Sequence, residues 1–311
     1  MGNISAAQFT AAANMEELYR LLDAAGMANG WNKPEPSLYP APKRSFVPAH
    51  WSYALAKPAL EAAGRFVSTE LAERRNLILY NPIPGNSYAT ARTLVAAYQM
   101  VLPGETARSH RHSPNALRLV LDTAPGAYTI VEGRKLPMVP GDVLLTPNWS
   151  WHGHSNESGE PAYWIDFLDV PLVHFLEPMF FEQYPGGLET SAVVDATSPM
   201  RFPFAEIRAR LEKEPECELG PPHIDTVALR VSRLEPGRSL AAKRTTANCI
   251  YAVIEGRGRS NVEGNDFHWS RGDVFVVPSW RRHECQAEER SYLFKVTDEP
   301  FIRRLNWFRE E

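Results

Sequence analysis

The chain has 311 residues, 44% of them hydrophobic, enough to bury one large core or two ordinary ones, so two domains are the default at this length. Its 33 basic residues stand against 37 acidic ones for a net charge of −4 with no long basic run, which excludes a nucleic-acid or polyanion surface and leaves small-molecule chemistry or protein contacts. Three cysteines, Cys217, Cys249 and Cys285, without CxxC spacing, exclude a disulfide framework and a thiolate zinc site; with no leader pattern and no long apolar run, the expected setting is the cytoplasm, away from membranes.

In chain order, Phe9, Leu18, Leu21 and Leu22 within residues 7–26 predict a helical arm, and a proline-rich connector, NKPEPSLYPAPKRSFVPAHW, follows. From about Asn76 short β-branched and aromatic runs take over: NLILY, RTLVAAYQMVL, ALRLVLD, AYTIVEG, DVLLTP and AYWIDFLDV, broken by Pro, Gly, Asn and Asp. This spacing predicts a mainly β, antiparallel sandwich or barrel.

The pattern then recurs. Residues 127–154 and 250–284 share a strand ending in Glu-Gly-Arg, a Gly-Asp pair, an apolar strand, a Pro-x-Trp turn (Pro147 and Trp149; Pro278 and Trp280) and a histidine three residues later, His152 or His283. Each copy is preceded by a Pro-Gly turn, at Gly104 and Gly237. We read two copies of one β-barrel, with a helix around FAEIRARLEKE (204–214) between them. The expected division is an arm at 1–73, a first barrel at 74–200, and a linker helix with a second barrel at 201–311.

The first copy carries His110 and His112 two apart on a strand, hence on one face, while His152 arrives on a later strand. Three neutral imidazoles suit iron, manganese, nickel or zinc, and do not suit an all-oxygen magnesium or calcium site. In the second copy the equivalent positions are Lys243 and Thr245, leaving His283 without partner ligands, so that barrel is expected to be structural. His174 and His268 stand alone, and His50 and His223 fall in proline-flanked loops with no role to assign.

Gly104-x5-His110-x-His112 and Gly141-x5-Pro147-x-Trp149-x2-His152-x3-Asn156 resemble the two motifs of the cupin superfamily, except that Trp149 replaces an inner glycine and no glutamate follows His112. Loss of that glutamate, with HRH, ALR, GDV, TPNWSWHGH and WID around it, resembles the bicupin gentisate 1,2-dioxygenase family, with its salicylate and hydroxynaphthoate relatives. The resemblance implies two antiparallel jelly-roll barrels. It implies iron(II) on His110, His112 and His152, and cleavage by O2 of an aromatic hydroxy acid between the carboxylated and adjacent hydroxylated carbons. It further implies Arg118 and Arg74 as substrate arginines, with Arg75 the alternative to Arg74. His154 would meet the substrate hydroxyl and move protons, Asp166 would orient His154 or bond the ring substituent, Gln99 would be a polar pocket residue, and the assembly would be a homo-oligomer, a tetramer in many relatives.

Charge supports the three-histidine set independently: a divalent ion on neutral imidazoles stays at +2 and matches a dianionic salicylate-type chelate, whereas a protein carboxylate would reduce it to +1. Asp169 reads as a surface or turn acid. Two departures bear on the substrate. Val95 stands where the family has an aromatic residue four before the glutamine, and Phe167 stands where many relatives have glycine; both would alter pocket volume, and a substituted salicylate, including a 5-substituted one, is expected beside gentisate. The competing classes are a zinc or manganese cupin isomerase or hydrolase, which needs no oxygen, and a non-enzymatic ligand-binding bicupin.

Overall fold

The arm is two helices, α1 (Ala6–Thr10) and α2 (Met15–Ala24), because Asn14 turns extended and its side chain accepts the Glu17 N–H at 2.9 Å, starting a second helix where one was expected to continue. The computed structural model describes residues 4–190, 193–220 and 224–311, so His223 lies outside the described residues. The segment ending at Lys43 is one compact unit and Arg44–Glu311 is another. No described helix is long and apolar enough to cross a membrane.

In the larger unit the order is β1 (Ala49–Trp51), α3 (Tyr53–Phe66), β2 (Arg75–Ile78), β3 (Val95–Val101), β4 (Thr106–His112), β5 (Ala116–Asp122), β6 (Ala127–Val131), β7 (Arg134–Pro137), β8 (Val143–Thr146), β9 (His152–Asn156), β10 (Ala162–Leu168), α4 (Val170–Leu176) and β11 (Phe181–Gln183). There follow β12 (Arg201–Phe202), α5 (Phe204–Leu211), β13 (Glu216–Glu218), β14 (Ala228–Leu234), β15 (Ser239–Ala242), β16 (Cys249–Glu255), β17 (Arg257–Val262), β18 (Asn265–Ser270), β19 (Val274–Val277), β20 (His283–Ala287), β21 (Ser291–Thr297) and α6 (Glu299–Arg304).

The first half pairs a sheet ordered β12-β8-β5-β10-β3-β2 with one ordered β11-β4-β9-β6-β7, and the second pairs β1-β19-β16-β21-β14-β13 with β15-β20-β17-β18. The architecture is the expected mainly β pair of jelly-roll halves with a helical arm. Strand alternation sends Ala96, Tyr98 and Met100 of β3, Leu117, Leu119 and Leu121 of β5, and Ile165 and Phe167 of β10 to one side, where they meet Ile250, Ala252, Phe294 and Val296 of the second half in one apolar core. The other side of each strand faces the interior of its own barrel.

The repeated Gly-Asp pairs hold the halves together reciprocally. Asp142 of the first barrel accepts the Phe204 N–H at 2.9 Å, at the start of α5, and Asp273 of the second accepts the Tyr53 N–H at 2.8 Å, at the start of α3. His50 bonds Asp273 at 3.2 Å. A Cβ on Gly141 would meet the Phe204 ring at 2.7 Å, and one on Gly272 the Tyr53 ring at 2.5 Å, so glycine is required for this close approach. Asp169, which the sequence suggested was a surface or turn acid, is only 2% exposed and stands at the N-terminal end of α4 with its side chain bonded outside the helix: it accepts the Asn115 backbone N–H at 2.8 Å, the Asn115 amide and the Thr226 hydroxyl, while Asp298 does the same for Asn248 and Thr93.

Candidate metal and substrate site

His110 and His112 on β4 and His152 on β9 offer ligand nitrogens that all lie within 4.8 Å of one another. Each ring is oriented by a main-chain carbonyl two residues away: His110 Nδ1 lies 3.1 Å from the Arg108 oxygen, His112 Nδ1 2.7 Å from that of Pro114, and His152 Nδ1 2.9 Å from that of Ser150. A carbonyl can only accept, so all three Nδ1 atoms carry the proton and all three Nε2 lone pairs are free. Burial is the first cause that lowers the pKa of each: His110 falls to about 3, with the Arg74 charge next, His112 is lowered, and His152 falls well below the ordinary histidine range. Three neutral imidazoles, tautomers fixed and lone pairs convergent, make a donor set that fits a borderline divalent ion.

Arg118 and His154 sit deeper. Arg118 on β5 is fully buried, stands opposite Asp166 of β10 in the strand register, and reaches its carboxylate at 3.2 Å. Its Nη1 donates to Thr129 Oγ1 at 2.9 Å and lies 2.6 Å from His154 Nδ1, its Nη2 lies 3.2 Å from His154 Nε2, and its guanidinium lies over the Trp164 ring at 5.0 Å. Burial lowers the Arg118 pKa to about 10 despite Asp166, and burial with the Arg118 charge pushes His154 well below its ordinary value. Arg118 Nε and Trp164 Nε1 are buried without a hydrogen-bond partner among the described residues. Such orphaned polar atoms clustered beside an open ligand triangle suit a polar ligand in the barrel interior.

The protein comparisons agree with this chemistry. A family profile described as Cupin domain matches residues 97–170 and 230–294, once in each barrel. A 5-aminosalicylate 1,2-dioxygenase of Comamonas sp is 32% identical over 96% of this chain and 90% of the relative, and gentisate 1,2 dioxygenase 1 of Aquipseudomonas alcaligenes is 32% identical over 95% of each. The salicylate 1,2-dioxygenase of Pseudoaminobacter salicylatoxidans, solved as adducts with gentisate, superposes with a TM-score of 0.86 at 26% identity over 95% of this chain and 93% of that one. The chain belongs to the gentisate/salicylate 1,2-dioxygenase family. It is therefore an oxidoreductase of the dioxygenase class on a bicupin fold.

Within this dioxygenase the two neighbouring arginines separate. Arg74 bonds Gln99 and lies close enough to lower the pKa of His110, His112 and His154, whereas Arg75 is buried on the carboxylate of Glu105 and donates to the Val67 carbonyl at 2.9 Å. Arg74 faces the site and Arg75 does not. Gln99 and Val95 lie on the interior face of β3, both buried. Phe167 points the other way, 5.7 Å from Phe294 in the core between the halves, so this departure does not change the pocket. Asp166 meets Arg118 and makes no hydrogen bond to His154.

Trp149 has φ 63, which explains why glycine is usual at that place in the motif. Thr129 and Trp164 escaped the sequence reading although their strand parity puts them inside. Phe181, 5.4 Å from the His110 ring, sits on an exposed three-residue strand without any periodic signal. In the second barrel His283 Nε2 bonds the Tyr251 hydroxyl at 2.8 Å, Lys243 is exposed on Glu310, and Tyr251, Phe275, Trp269 and Leu293 fill the interior.

Proposed function

We propose that the chain is an iron(II)-dependent dioxygenase that opens a salicylate-type ring between the carboxylated carbon and the adjacent hydroxylated carbon. The observation that carries this reading is the convergence of three neutral, pre-oriented imidazoles beside a buried arginine and histidine. His110, His112 and His152 would hold the ion, and iron(II) there would supply a redox-active Lewis acid with room for a chelating hydroxy acid and O2. Arg118 and Arg74 supply positive charge for the substrate carboxylate, and guanidinium geometry favours a bidentate hold. Arg118 is an obligate donor at both Nη atoms, which lie 2.6 Å from Nδ1 and 3.2 Å from Nε2 of His154, and with burial it keeps that ring neutral. His154 would meet the ortho hydroxyl of the substrate and move its proton. Asp166 balances the Arg118 charge, and Gln99 holds Arg74.

Val95, with a smaller side chain than the aromatic residue usual there, leaves room for a substituted ring, which favours 5-substituted salicylates beside gentisate. We also infer a homo-oligomer, a tetramer by analogy with relatives, since Leu55, Phe66, Leu71 and Phe175 are large apolar residues left at least three-quarters exposed. The three free, buried cysteines suit a reducing cytoplasm. Oxygen consumption by iron-loaded protein on gentisate, salicylate, 5-aminosalicylate and 1-hydroxy-2-naphthoate tests the reading. Uptake with at least one is expected; none with any, with iron bound, refutes it.

A further inference from the structure

Arg111 lies between the two histidines of β4, and strand alternation turns it outward while they face inward. Its guanidinium carbon is 4.5 Å from the ring centroid of Trp149 and 4.5 Å from that of Trp151, both in the turn that delivers His152. Its Nε and Nη2 reach the Glu182 carboxylate at 2.8 and 2.6 Å. Glu182 belongs to β11, which pairs with β4 so that Phe181 opposes His112, Glu182 opposes Arg111 and Gln183 opposes His110. One guanidinium thus joins, from outside the barrel, the strand with two histidines, the turn before the third and the edge strand alongside. Trp149 adopts a left-handed backbone there, and its N–H donates to the His112 carbonyl at 2.8 Å.

The second copy supplies an internal comparison. Its turn is kept, with Trp280 at φ 62 donating to the Thr245 carbonyl at 2.7 Å, and Arg244 stands in the place of Arg111. The position of Trp151 has become Arg282. Arg244 pairs with Glu263 at 2.8 Å and Glu311 at 3.4 Å, and among the described residues it lies over no aromatic ring. The copy without the histidine set is also the copy without the paired rings.

We propose that Arg111, held by Trp149, Trp151 and Glu182, is a positioning residue that fixes the spacing between the β4 histidines and His152. This rests on the reading of the three histidines as metal ligands. A planar guanidinium can stack and pair at once, which an ammonium cannot, and groups that orient metal ligands from behind typically tune affinity about 10- to 100-fold.

The test titrates full-length, metal-free protein with Co(II), following affinity and the visible ligand-field spectrum, beside thermal unfolding of the metal-free forms. Arg111→Ala, Arg111→Lys and Trp151→Arg, the last giving the residue of the second copy, are expected to bind Co(II) about 10- to 100-fold more weakly, with a changed spectrum. Trp151→Phe keeps a ring and is expected within about threefold of wild type. Arg111→Lys with wild-type affinity and spectrum overturns the proposal, as does a loss of affinity that only follows lower metal-free stability with the spectrum unchanged. Wild-type binding that is lost in His112→Ala keeps the metal reading separate from these outcomes; failure of the wild type to bind Co(II) removes both.

Discussion

Arg118 and Asp166 stand directly opposite each other on β5 and β10, and their side chains meet at 3.2 Å with both almost wholly out of water. Among the described residues neither charge has another ion-pair partner, so each makes the burial of the other tolerable. Asp166→Asn should therefore lower stability by about 3 kcal/mol, the usual consequence of leaving a buried charge without its partner. Urea unfolding of the metal-free protein would measure it, and a change below about 1 kcal/mol would show that Arg118 is balanced elsewhere.

The clasp between the halves predicts a second effect, away from the site. Gly141→Ala adds a Cβ 2.7 Å from the Phe204 ring at φ 87 and should destabilise by about 2–3 kcal/mol, with Gly272→Ala similar against Tyr53. Gly104→Ala shares the left-handed backbone but meets nothing within 4 Å, so it should be milder. Melting curves of the three variants would decide whether the contact or the backbone dominates.

His283 gives the second barrel a pH dependence. Burial first, then the Lys295 charge, lowers its pKa from 6.5 to about 4. Between these values the unfolded chain binds a proton that the folded chain refuses, so the contribution is fully present above about pH 6.5 and falls as pH drops towards 4. The loss amounts to about 3 kcal/mol at 1.36 kcal/mol per pH unit. His283→Gln removes this dependence, so the stability difference between wild type and variant should shrink by that amount from pH 7 to pH 4 in denaturant titrations. A pH-independent difference would contradict the assignment.

Metal removal should abolish turnover without unfolding the chain. The large apolar core lies on the opposite side of the β3-β5-β8-β10 sheet from the histidines. Chelator-treated protein is expected to keep its far-ultraviolet circular dichroism, melt a few degrees lower through lost binding free energy, and regain activity on iron(II) addition.

Much of this was legible in the sequence because apolar alternation fixes strand parity: β5 coincides with ALRLVLD and β10 falls within AYWIDFLDV. The same parity, with the His-x-His spacing, put His110 and His112 on one face, whereas Arg118 was marked only by the family resemblance. Other elements carried no such signal. In α3, Pro58 within an alanine-rich stretch concealed a helix that Tyr53 and the Asp273 carboxylate begin. In β11 all three residues are exposed, so no pattern tied it to β4. Arg74 and Arg75 could be told apart only by the bond of one to Gln99 and the other to Glu105, a contact 30 residues away.

The most direct test of the central claim is turnover of iron-loaded protein with 18O2 and a salicylate-type substrate, read by mass spectrometry of the ring-opened product. The account predicts that both labelled atoms appear in the product, with one O2 consumed per ring and nothing formed by His112→Ala. Product formed under anaerobic conditions, or product without label at the cleaved bond, would contradict it.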